Sequence, residues 1–293
     1  MTGQPSTAGR PAAWLDGRLV APDAAAIRVD DHGATVGDGV FETLLVRAGR
    51  PGFWDRHIAR LARSLRLMEL PPMDEALLRR AVAEVVEACG APDSRLRIMV
   101  TSGPGPSGLR RGPRPTVLVT ANPLTAPAGV ADPVTVRTVP FARNDKGPLV
   151  GVKATSYAEA AVIQARIDAA GVDDALLGDT RGCLSEALTA NVFVELGGAR
   201  LTPGPASGCL GGIVREVLLE AGIAEEADIP LERLPEATEV FLTSSVAGVR
   251  PVRAIDGRPV PVVDGPMAEE ALAAFRAAEA ADAAAAPDLL TRG

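Results

Sequence analysis

The sequence predicts a mixed α/β or α+β protein with two domains, and three observations lead to this prediction. The chain has 293 residues, of which 47% are apolar, enough to build two modest hydrophobic cores. Helical and strand patterns alternate along it without a regular βαβ rhythm, so a Rossmann domain is not expected. Residues 120–133 (TANPLTAPAGVADP) are rich in Pro, Ala and Gly and have no apolar period, which is typical of an interdomain linker.

The residues before this linker predict strands and two helices. WLDGRLV contains the Asp-Gly signal of a hairpin, and FETLLVRAGRPGFW indicates two strands around a Gly-Arg-Pro turn. A helix is predicted for DRHIARLARSLRLMEL, because Ile58, Leu61, Leu65 and Met68 form an apolar stripe. A second helix (DEALLRRAVAEVVEAC) and two strands (RLRIMVTS and PTVLVTA) follow.

The residues after the linker predict a second set of mixed elements. A strand (PVTVRTV) precedes a helix from Tyr157 to about Ala170, and hairpins are expected in ALLGDTRGCLSEA and NVFVELGGARLTP. A helix begins near Ile213, and EVFLTSS predicts another strand. The alanine-rich tail suits a helix up to about Ala280, with disorder beyond it.

Composition excludes several classes of function. A net charge of −7 with few aromatic residues argues against a nucleic-acid surface. Three cysteines and two histidines, far apart, fit neither a disulfide framework nor a metal centre. The apolar stretches fall short of the roughly 20 residues of a membrane span, and the N-terminus has no apolar core of a signal peptide. We therefore expect a cytoplasmic protein that binds neither membrane nor nucleic acid.

Lys153 is the first candidate for chemistry. It is one of two lysines in a chain that otherwise uses arginine, and it lies in GVKATSYAEA together with the only tyrosine, Tyr157. A lysine amine can lose its proton and attack a carbonyl group, whereas arginine cannot. The alternative from composition alone is a surface lysine retained by chance.

Candidate anion sites follow further along the chain. GPGPSG at 103–108 matches a dinucleotide fingerprint, but its prolines forbid the helix that must follow, so a flexible loop is expected. In SGCLGGIVREVLLE, glycines lead directly into an amphipathic helix, and the backbone N–H groups of its first turn can bind a phosphate. The alternative is a tight turn at the helix start that only packs against a strand. TSSV at 243–246 adds hydroxyls at a strand end, and Glu186 adds an acid. An amine, phosphate donors and a carboxylate form the set that a pyridoxal phosphate enzyme needs.

Six segments carry a family resemblance: DHGATVGDGVFETLLV, HIARLARS, GVKATSYAEA, GCLSEALTANVFVELGGARLTP, SGCLGGIVRE and EVFLTSSVAGVRPV. In this order they resemble the class IV (fold type IV) pyridoxal-phosphate-dependent enzymes, which include branched-chain aminotransferases, D-amino acid aminotransferases and 4-amino-4-deoxychorismate lyases. The resemblance spans roughly residues 12–263. It implies pyridoxal 5'-phosphate in a cleft between two domains of an α/β (α+β) fold, and a homodimer.

Domain boundaries follow from the resemblance and the linker together. We expect a flexible N-terminus at 1–11, a small N-terminal α/β domain at 12–122, a linker at 123–133, a larger C-terminal domain at 134–280 and a disordered tail at 281–293.

The resemblance also implies roles for single residues. Lys153 matches the Schiff-base lysine, which forms an aldimine with the cofactor and moves the proton. Arg60 matches a phosphate-binding arginine, and Glu186 the partner of the pyridine nitrogen. Tyr157 is assigned to the phenolic oxygen of the cofactor, although branched-chain aminotransferases carry their tyrosine one position further along. Arg97 coincides with a substrate-side arginine of branched-chain aminotransferases, and a solvated strand face is the alternative.

The phosphate contacts are implied at two further places. Gly212, Ile213 and Val214 match the residues at a helix start whose backbone holds the phosphate. Val214 stands where threonine is frequent, so a side-chain donor is absent there. Ser244 and Ser245 match the second turn on the phosphate side.

For the reaction, the motifs resemble those of bacterial aminodeoxychorismate lyases most. Such a lyase converts 4-amino-4-deoxychorismate into 4-aminobenzoate and pyruvate for folate biosynthesis. Ser102 stands where some lyases have arginine, and Phe41-Glu42-Thr43 is shared with aminotransferases. Two alternatives therefore stay open: an aminotransferase for D-amino or branched-chain amino acids, and a non-catalytic binding protein that keeps the cofactor.

Overall fold

The computed structural model describes residues 9–124 and 132–285. The expected flexible N-terminus and interdomain linker lie mostly outside these residues, as does the tail from 286 onward. Arg10, which is described, donates its backbone N–H to the carbonyl oxygen of Cys89 at 2.9 Å. The chain divides into two compact units, and the cut does not follow a single point in the sequence. Unit 1 contains described residues 9–124, 153–156 and 281–285; unit 2 contains 132–152 and 157–280.

Unit 1 is built on a six-stranded antiparallel sheet with the strand order β2-β1-β6-β5-β3-β4. Its elements are β1 (Ala12–Leu15), β2 (Arg18–Val20), α1 (His32–Thr35), β3 (Gly39–Arg47), β4 (Arg50–Pro51), α2 (Trp54–Leu67), α3 (Glu75–Cys89), β5 (Ser94–Thr101) and β6 (Thr116–Pro123). The Asp-Gly hairpin is confirmed, since Asp16 and Gly17 both adopt positive φ values between β1 and β2. The second predicted turn was misplaced: Ala48 and Gly49 form it, and the Arg-Pro pair already belongs to β4.

Helix α2 shows why the apolar stripe was an incomplete description. Leu61 and Leu65 are buried as predicted, but Ile58 is only partly buried. Between the two leucines and the helix start, His57 and Arg60 are buried instead, although the sequence pattern places Arg60 off the stripe. A buried arginine needs a compensating charge, so the neighbouring strand must supply one.

The loop after β5 is not a dinucleotide turn, because no helix follows it. The predicted loop is present, and hydrogen bonds anchor it to other parts of unit 1. The carbonyl oxygen of Gly103 accepts from the N–H of His32 at 3.0 Å, and Arg111 donates to both carboxylate oxygens of Asp38 at 2.7 Å. Arg111 also donates to the carbonyl oxygen of Met68, just past the end of α2.

Unit 2 is built on a nine-stranded mixed sheet. Its elements are β7 (Val134–Ala142), α4 (Ala158–Ala169), β8 (Asp174–Gly178), β9 (Leu184–Ala187), β10 (Asn191–Leu196), β11 (Ala199–Pro203), α5 (Ile213–Glu220), β12 (Glu225–Ala227), β13 (Glu239–Ser244), β14 (Gly248–Ile255), β15 (Arg258–Pro259) and the greater part of α6 (Pro266–Ala285). The strand order is β12-β11-β10-β13-β14-β7-β8-β9, with β15 paired to β14. Parallel pairs (β14 with β7, β7 with β8) occur beside antiparallel ones, which confirms the prediction of a mixed α/β or α+β protein.

The larger core cluster of unit 2 includes Val192, Val194, Val240 and Leu242. A second, smaller cluster joins Ile163 and Ile167 of α4 to Ala175 and Leu177 of β8. Helix α6 continues to Ala285, so residues 281–285 are helical where the sequence predicted the start of a disordered tail. Alanine has the highest helix propensity, and the run AADAAA therefore extends the helix. None of the described helices is long and apolar enough to cross a membrane.

Candidate active site

The backbone of Lys153 is fixed on the edge of β3. Phe41 donates its N–H to the carbonyl oxygen of Lys153 at 2.9 Å, and Thr155 donates its own to Gly39 at 2.8 Å. The hydroxyl of Thr155 also donates to the carbonyl oxygen of Gly37 at 2.8 Å. Residues 153–156 thus pair with a strand more than a hundred positions earlier, which explains why they belong to unit 1.

The side chains of Lys153 and Arg97 meet on one aromatic ring. The Lys153 ammonium nitrogen lies 4.5 Å from the centroid of the Phe41 ring, and the central guanidinium carbon of Arg97 lies 3.8 Å from it. Arg97 comes from β5, opposite Thr43 of β3. The face of the Phe41 ring attracts both cations, which offsets part of the electrostatic repulsion between Lys153 and Arg97. The structure therefore brings together the predicted nucleophile and the predicted substrate-side arginine.

Arg60 lies in a buried cluster with two residues, Glu42 and His57, to which the sequence assigned no role. Its Nε and one terminal nitrogen donate to the two carboxylate oxygens of Glu42 at 2.8 and 2.6 Å. Nδ1 of His57 lies 2.7 Å from the same carboxylate. Because an ionised carboxylate can only accept, Nδ1 carries the proton in this contact. The buried charge of Arg60 is thereby matched.

The contacts within the cluster set the protonation states of Glu42 and His57. Burial alone would raise the pKa of Glu42, but the charge of Arg60 and the hydrogen bonds from Arg60 and His57 lower it to about 2. Burial lowers the pKa of His57, the contact with Glu42 opposes this, and the charges of Arg60 and Lys153 lower it again. Glu42 is therefore ionised and His57 neutral near pH 7, so the three side chains together carry no net charge.

Glu186 occupies β9 of unit 2, and both of its carboxylate oxygens have partners. Nε of Arg143 lies 2.9 Å from Oε1, and the N–H of Leu210 donates to Oε2 at 2.9 Å. These contacts fix the orientation of the acid. Arg143 was not predicted, and its only signal was its place in the charged segment ahead of Lys153.

The start of α5 provides backbone donors. Gly212 is the N-cap and has no side-chain capping bond. The side chains of Ile213 and Val214 are buried, each 2% exposed, so only their N–H groups can contribute. The first-turn amides of a helix have no intrahelical acceptors and lie at the positive end of its dipole, which favours a phosphate group.

The end of β13 supplies hydroxyls. Ser244 closes the strand and accepts from the N–H of Ala247 at 3.3 Å, and Ser245 opens the turn towards β14. The hydroxyl of Thr243 is buried without a hydrogen-bond partner among the described residues. Thr243 pairs directly with Asn191 of β10. A buried hydroxyl without a partner is costly, so this part of unit 2 fits an additional acceptor such as a phosphate oxygen.

Tyr157 is the N-cap residue of α4 and is partly buried. It lies in unit 2, although Lys153 lies in unit 1. Its assignment to the phenolic oxygen stays a prediction. Among the described residues, no group of three or more His, Cys, Asp or Glu side chains is arranged to hold a metal ion.

The donor set fits a pyridoxal phosphate enzyme: an amine for the aldehyde, a held carboxylate for a ring nitrogen, and amides, hydroxyls and an arginine for a phosphate. Comparison with known families agrees. The family model described as amino-transferase class IV matches residues 39–255, and the chain belongs to this family. Its cofactor is pyridoxal 5'-phosphate.

Individual relatives span nearly the same length. A protein of Methanocaldococcus jannaschii, named provisionally as a branched-chain-amino-acid aminotransferase, is 32% identical over 84% of this chain and 88% of its own. A Mycobacterium tuberculosis protein named bifunctional aminodeoxychorismate lyase / D-amino acid transaminase is 30% identical over 84% of this chain and 92% of its own. Among solved structures, the PLP-bound form of a hypothetical aminotransferase from Mycobacterium tuberculosis superposes with a TM-score of 0.80 at 27% identity, covering 92% of this chain and 99% of that one.

Proposed function

We propose that this protein is a pyridoxal-phosphate-dependent lyase that converts 4-amino-4-deoxychorismate into 4-aminobenzoate and pyruvate. The observation that carries the proposal is the placement of Arg97 and Lys153 on the ring of Phe41, at 3.8 and 4.5 Å from its centroid. A substrate with two carboxylates needs a cation near the lysine amine that takes its proton. Arginine is suited to this role because it binds a carboxylate through two parallel hydrogen bonds. The name of the bifunctional Mycobacterium tuberculosis relative supports the same activity.

When bound, the cofactor supplies an electron sink for the pair released by proton removal. Lys153 would hold the cofactor before the substrate binds. Once the substrate amine has taken its place, the freed amine of Lys153 would take the proton from the ring carbon that carries the substrate amine. The carbon–oxygen bond to the enolpyruvyl group then breaks, the ring becomes aromatic, and the departing group takes up a proton to become pyruvate. Arg97 holds a substrate carboxylate throughout this sequence.

The remaining predicted residues hold the cofactor in this proposal. Glu186 partners the pyridine nitrogen, and Tyr157 the phenolic oxygen. Arg60, the amides of Gly212, Ile213 and Val214, and the turn at Ser244 and Ser245 hold the phosphate.

A second candidate is an aminotransferase for D-amino or branched-chain amino acids. The donor set serves this reaction equally, because Arg97 would then hold the carboxylate of the amino acid. The names of the two relatives given above support it. The two activities share the proton transfer by Lys153 and differ in the bond that breaks afterwards: the carbon–oxygen bond to the enolpyruvyl group in the lyase, and the carbon–nitrogen bond of the amino acid, by hydrolysis, in the aminotransferase.

The test is to incubate the purified protein with 4-amino-4-deoxychorismate and to follow 4-aminobenzoate and pyruvate by mass spectrometry. The two lysines of the chain provide a matched pair of variants. Lys153→Ala should lower the rate by at least about 100-fold, because both attachment and proton transfer are lost. Lys146→Ala removes an exposed lysine that lies outside residues 153–156 and should leave the rate unchanged.

Borohydride reduction and peptide mapping separate the remaining outcomes. A pyridoxyl group on Lys153 without 4-aminobenzoate, together with amino transfer from D-alanine or leucine to 2-oxoglutarate, would replace the lyase by the aminotransferase. A pyridoxyl group with neither product would favour the non-catalytic binding protein. Absence of the group from Lys153 would contradict the assignment of the lysine itself.

A further inference from the structure

Asn191 joins the start of β10 to the segment that leads into α5. Its side chain is buried, and Nδ2 donates to the carbonyl oxygen of Leu210 at 2.8 Å. Its Oδ1 lies against the backbone of Gly212: a Cβ atom at position 212 would be only 1.9 Å from it. The φ of Gly212 is −72°, a value open to any residue, so the requirement for glycine comes from Asn191 and not from the backbone conformation.

Leu210 connects this contact to Glu186. Its carbonyl oxygen accepts from Asn191, and its N–H donates to Oε2 of Glu186 at 2.9 Å. The preceding turn is fixed as well, because the hydroxyl of Ser185 donates to the carbonyl oxygen of Ser207 at 2.8 Å. The path of the chain from Ser207 to Gly212 is thus set by side chains of β9 and β10.

We propose that Asn191 is a positioning residue for the phosphate of the cofactor. By fixing Leu210 and limiting the approach of Gly212, it sets the direction of the first-turn amides of α5. Hydrogen bonds from amides weaken steeply when the donor angle or distance departs from the optimum, so a small displacement of the helix start costs phosphate affinity. This inference rests on the proposed role of Gly212, Ile213 and Val214 in phosphate binding.

A purely structural role for Asn191 predicts something different. If its amide only satisfies a buried carbonyl group, its loss should weaken every ligand of unit 2 to a similar degree. If it positions the phosphate donors, its loss should discriminate against the ligand that carries a phosphate. Pyridoxal 5'-phosphate and pyridoxal differ only in that group, so the ratio of their dissociation constants separates the two roles.

The experiment measures both dissociation constants from the visible absorbance of the bound ligands, for the wild type, Asn191→Ala, Gly212→Ala and the double variant. We expect each single variant to bind pyridoxal 5'-phosphate about 10- to 100-fold more weakly, the range for loss of hydrogen bonds to a charged group. Pyridoxal affinity should change by less than about threefold in each. Gly212→Ala retains the amide nitrogen and oxygen of Asn191, so it tests the positioning role even if Asn191→Ala fails to fold.

The double variant tests the contact directly. Removing the Asn191 side chain removes the atom that a Cβ at position 212 would meet, so the two losses should not multiply. The double variant should bind pyridoxal 5'-phosphate as Asn191→Ala does. Losses that multiply would show that the two positions act independently and would overturn the proposal.

Thr202→Val is the matched control. Thr202 is fully buried, and its hydroxyl donates to the carbonyl oxygen of Val192 on β10 at 2.8 Å, a hydrogen bond that involves neither Leu210 nor Gly212. Its loss should leave the ratio of the two constants unchanged. Equal losses for both ligands in Asn191→Ala and Gly212→Ala would overturn the positioning role. A wild type that does not prefer the phosphorylated ligand would instead contradict the proposed phosphate site.

Discussion

Glu42 is the residue on which the charge of the Arg60 cluster depends. Its carboxylate accepts two hydrogen bonds from Arg60 and lies 2.7 Å from His57, and all three side chains are buried. Replacing one member of such a pair leaves the other as an uncompensated charge in the protein interior. The cluster is therefore costly to break, and its contribution to stability depends on pH.

Glu42→Gln should lower the free energy of unfolding at pH 7 by about 3 to 5 kcal/mol, the range for breaking a buried ion pair. The pKa of Glu42 is about 2 in the folded chain and ordinarily 4.5, so its contribution is fully present above about pH 5 and declines as the pH falls towards 2. The stability difference between wild type and variant should shrink over that range. Urea unfolding at a series of pH values measures it.

Glu270→Gln provides the control for this series. Glu270 pairs with Arg200 on the surface, where water screens the interaction. Its replacement should change stability far less than that of Glu42 at every pH. A Glu42→Gln variant as stable as wild type at pH 7 would contradict the role of the cluster.

Arg60→Lys should weaken binding of pyridoxal 5'-phosphate although the charge is kept. An ammonium group cannot match both oxygens of Glu42 as the planar guanidinium does, so the cation would no longer be held in one orientation. We expect a loss of about tenfold in affinity in an absorbance titration. Arg63→Lys, on the exposed face of α2, should have no effect, and equal affinities for all three proteins would contradict the assignment of Arg60.

At the scale of elements, the periodic patterns were sufficient to predict most helices and strands, because these depend on neighbours in sequence. The site was predicted less completely. Glu42 had a local signal, since strand alternation places it with Val40, Leu44 and Val46, all of which are fully buried. Its pairing with Arg60 had no such signal, because neither the strand pattern around Glu42 nor the helix pattern around Arg60 shows which distant element it contacts.

The contacts of Asn191 and Arg143 were missed for the same reason. Each acts through a residue that lies at least 19 positions away: Leu210 for Asn191, and Glu186 for Arg143. The family resemblance identified candidate residues that would contact the cofactor. It could not identify those that hold them in place.

The loop between β5 and β6 is an element that one side chain joins to two other parts of unit 1. Arg111 joins Asp38, which precedes β3, to the carbonyl oxygens that follow α2. Arg111→Ala should therefore increase amide hydrogen exchange in residues 103–115, measured by mass spectrometry. Arg110→Ala, one position earlier and exposed, should not. Equal protection in both variants would show that other contacts suffice to order the loop.

At the scale of the whole molecule, we expect a homodimer, as the family resemblance implies. Val29 and Leu109 are 93% and 81% exposed in the single chain, and burying aliphatic side chains of this kind stabilises an association. Light scattering coupled to size-exclusion chromatography should give twice the 30.2 kDa of one chain. A mass equal to that of one chain across the concentration range would contradict the expectation.

The assignment of residues 153–156 to unit 1 has a consequence for the order of events during protein synthesis. The strand that receives Lys153 begins at Gly39, so the ribosome must add more than a hundred further residues before the lysine exists. Unit 1 therefore emerges with its sheet strands complete and its nucleophile missing. A nascent chain that stalls within residues 129–152 contains Arg60 and Arg97 but not Lys153, so it cannot capture the reactive aldehyde at this edge before residues 129–152 of the second unit have been made.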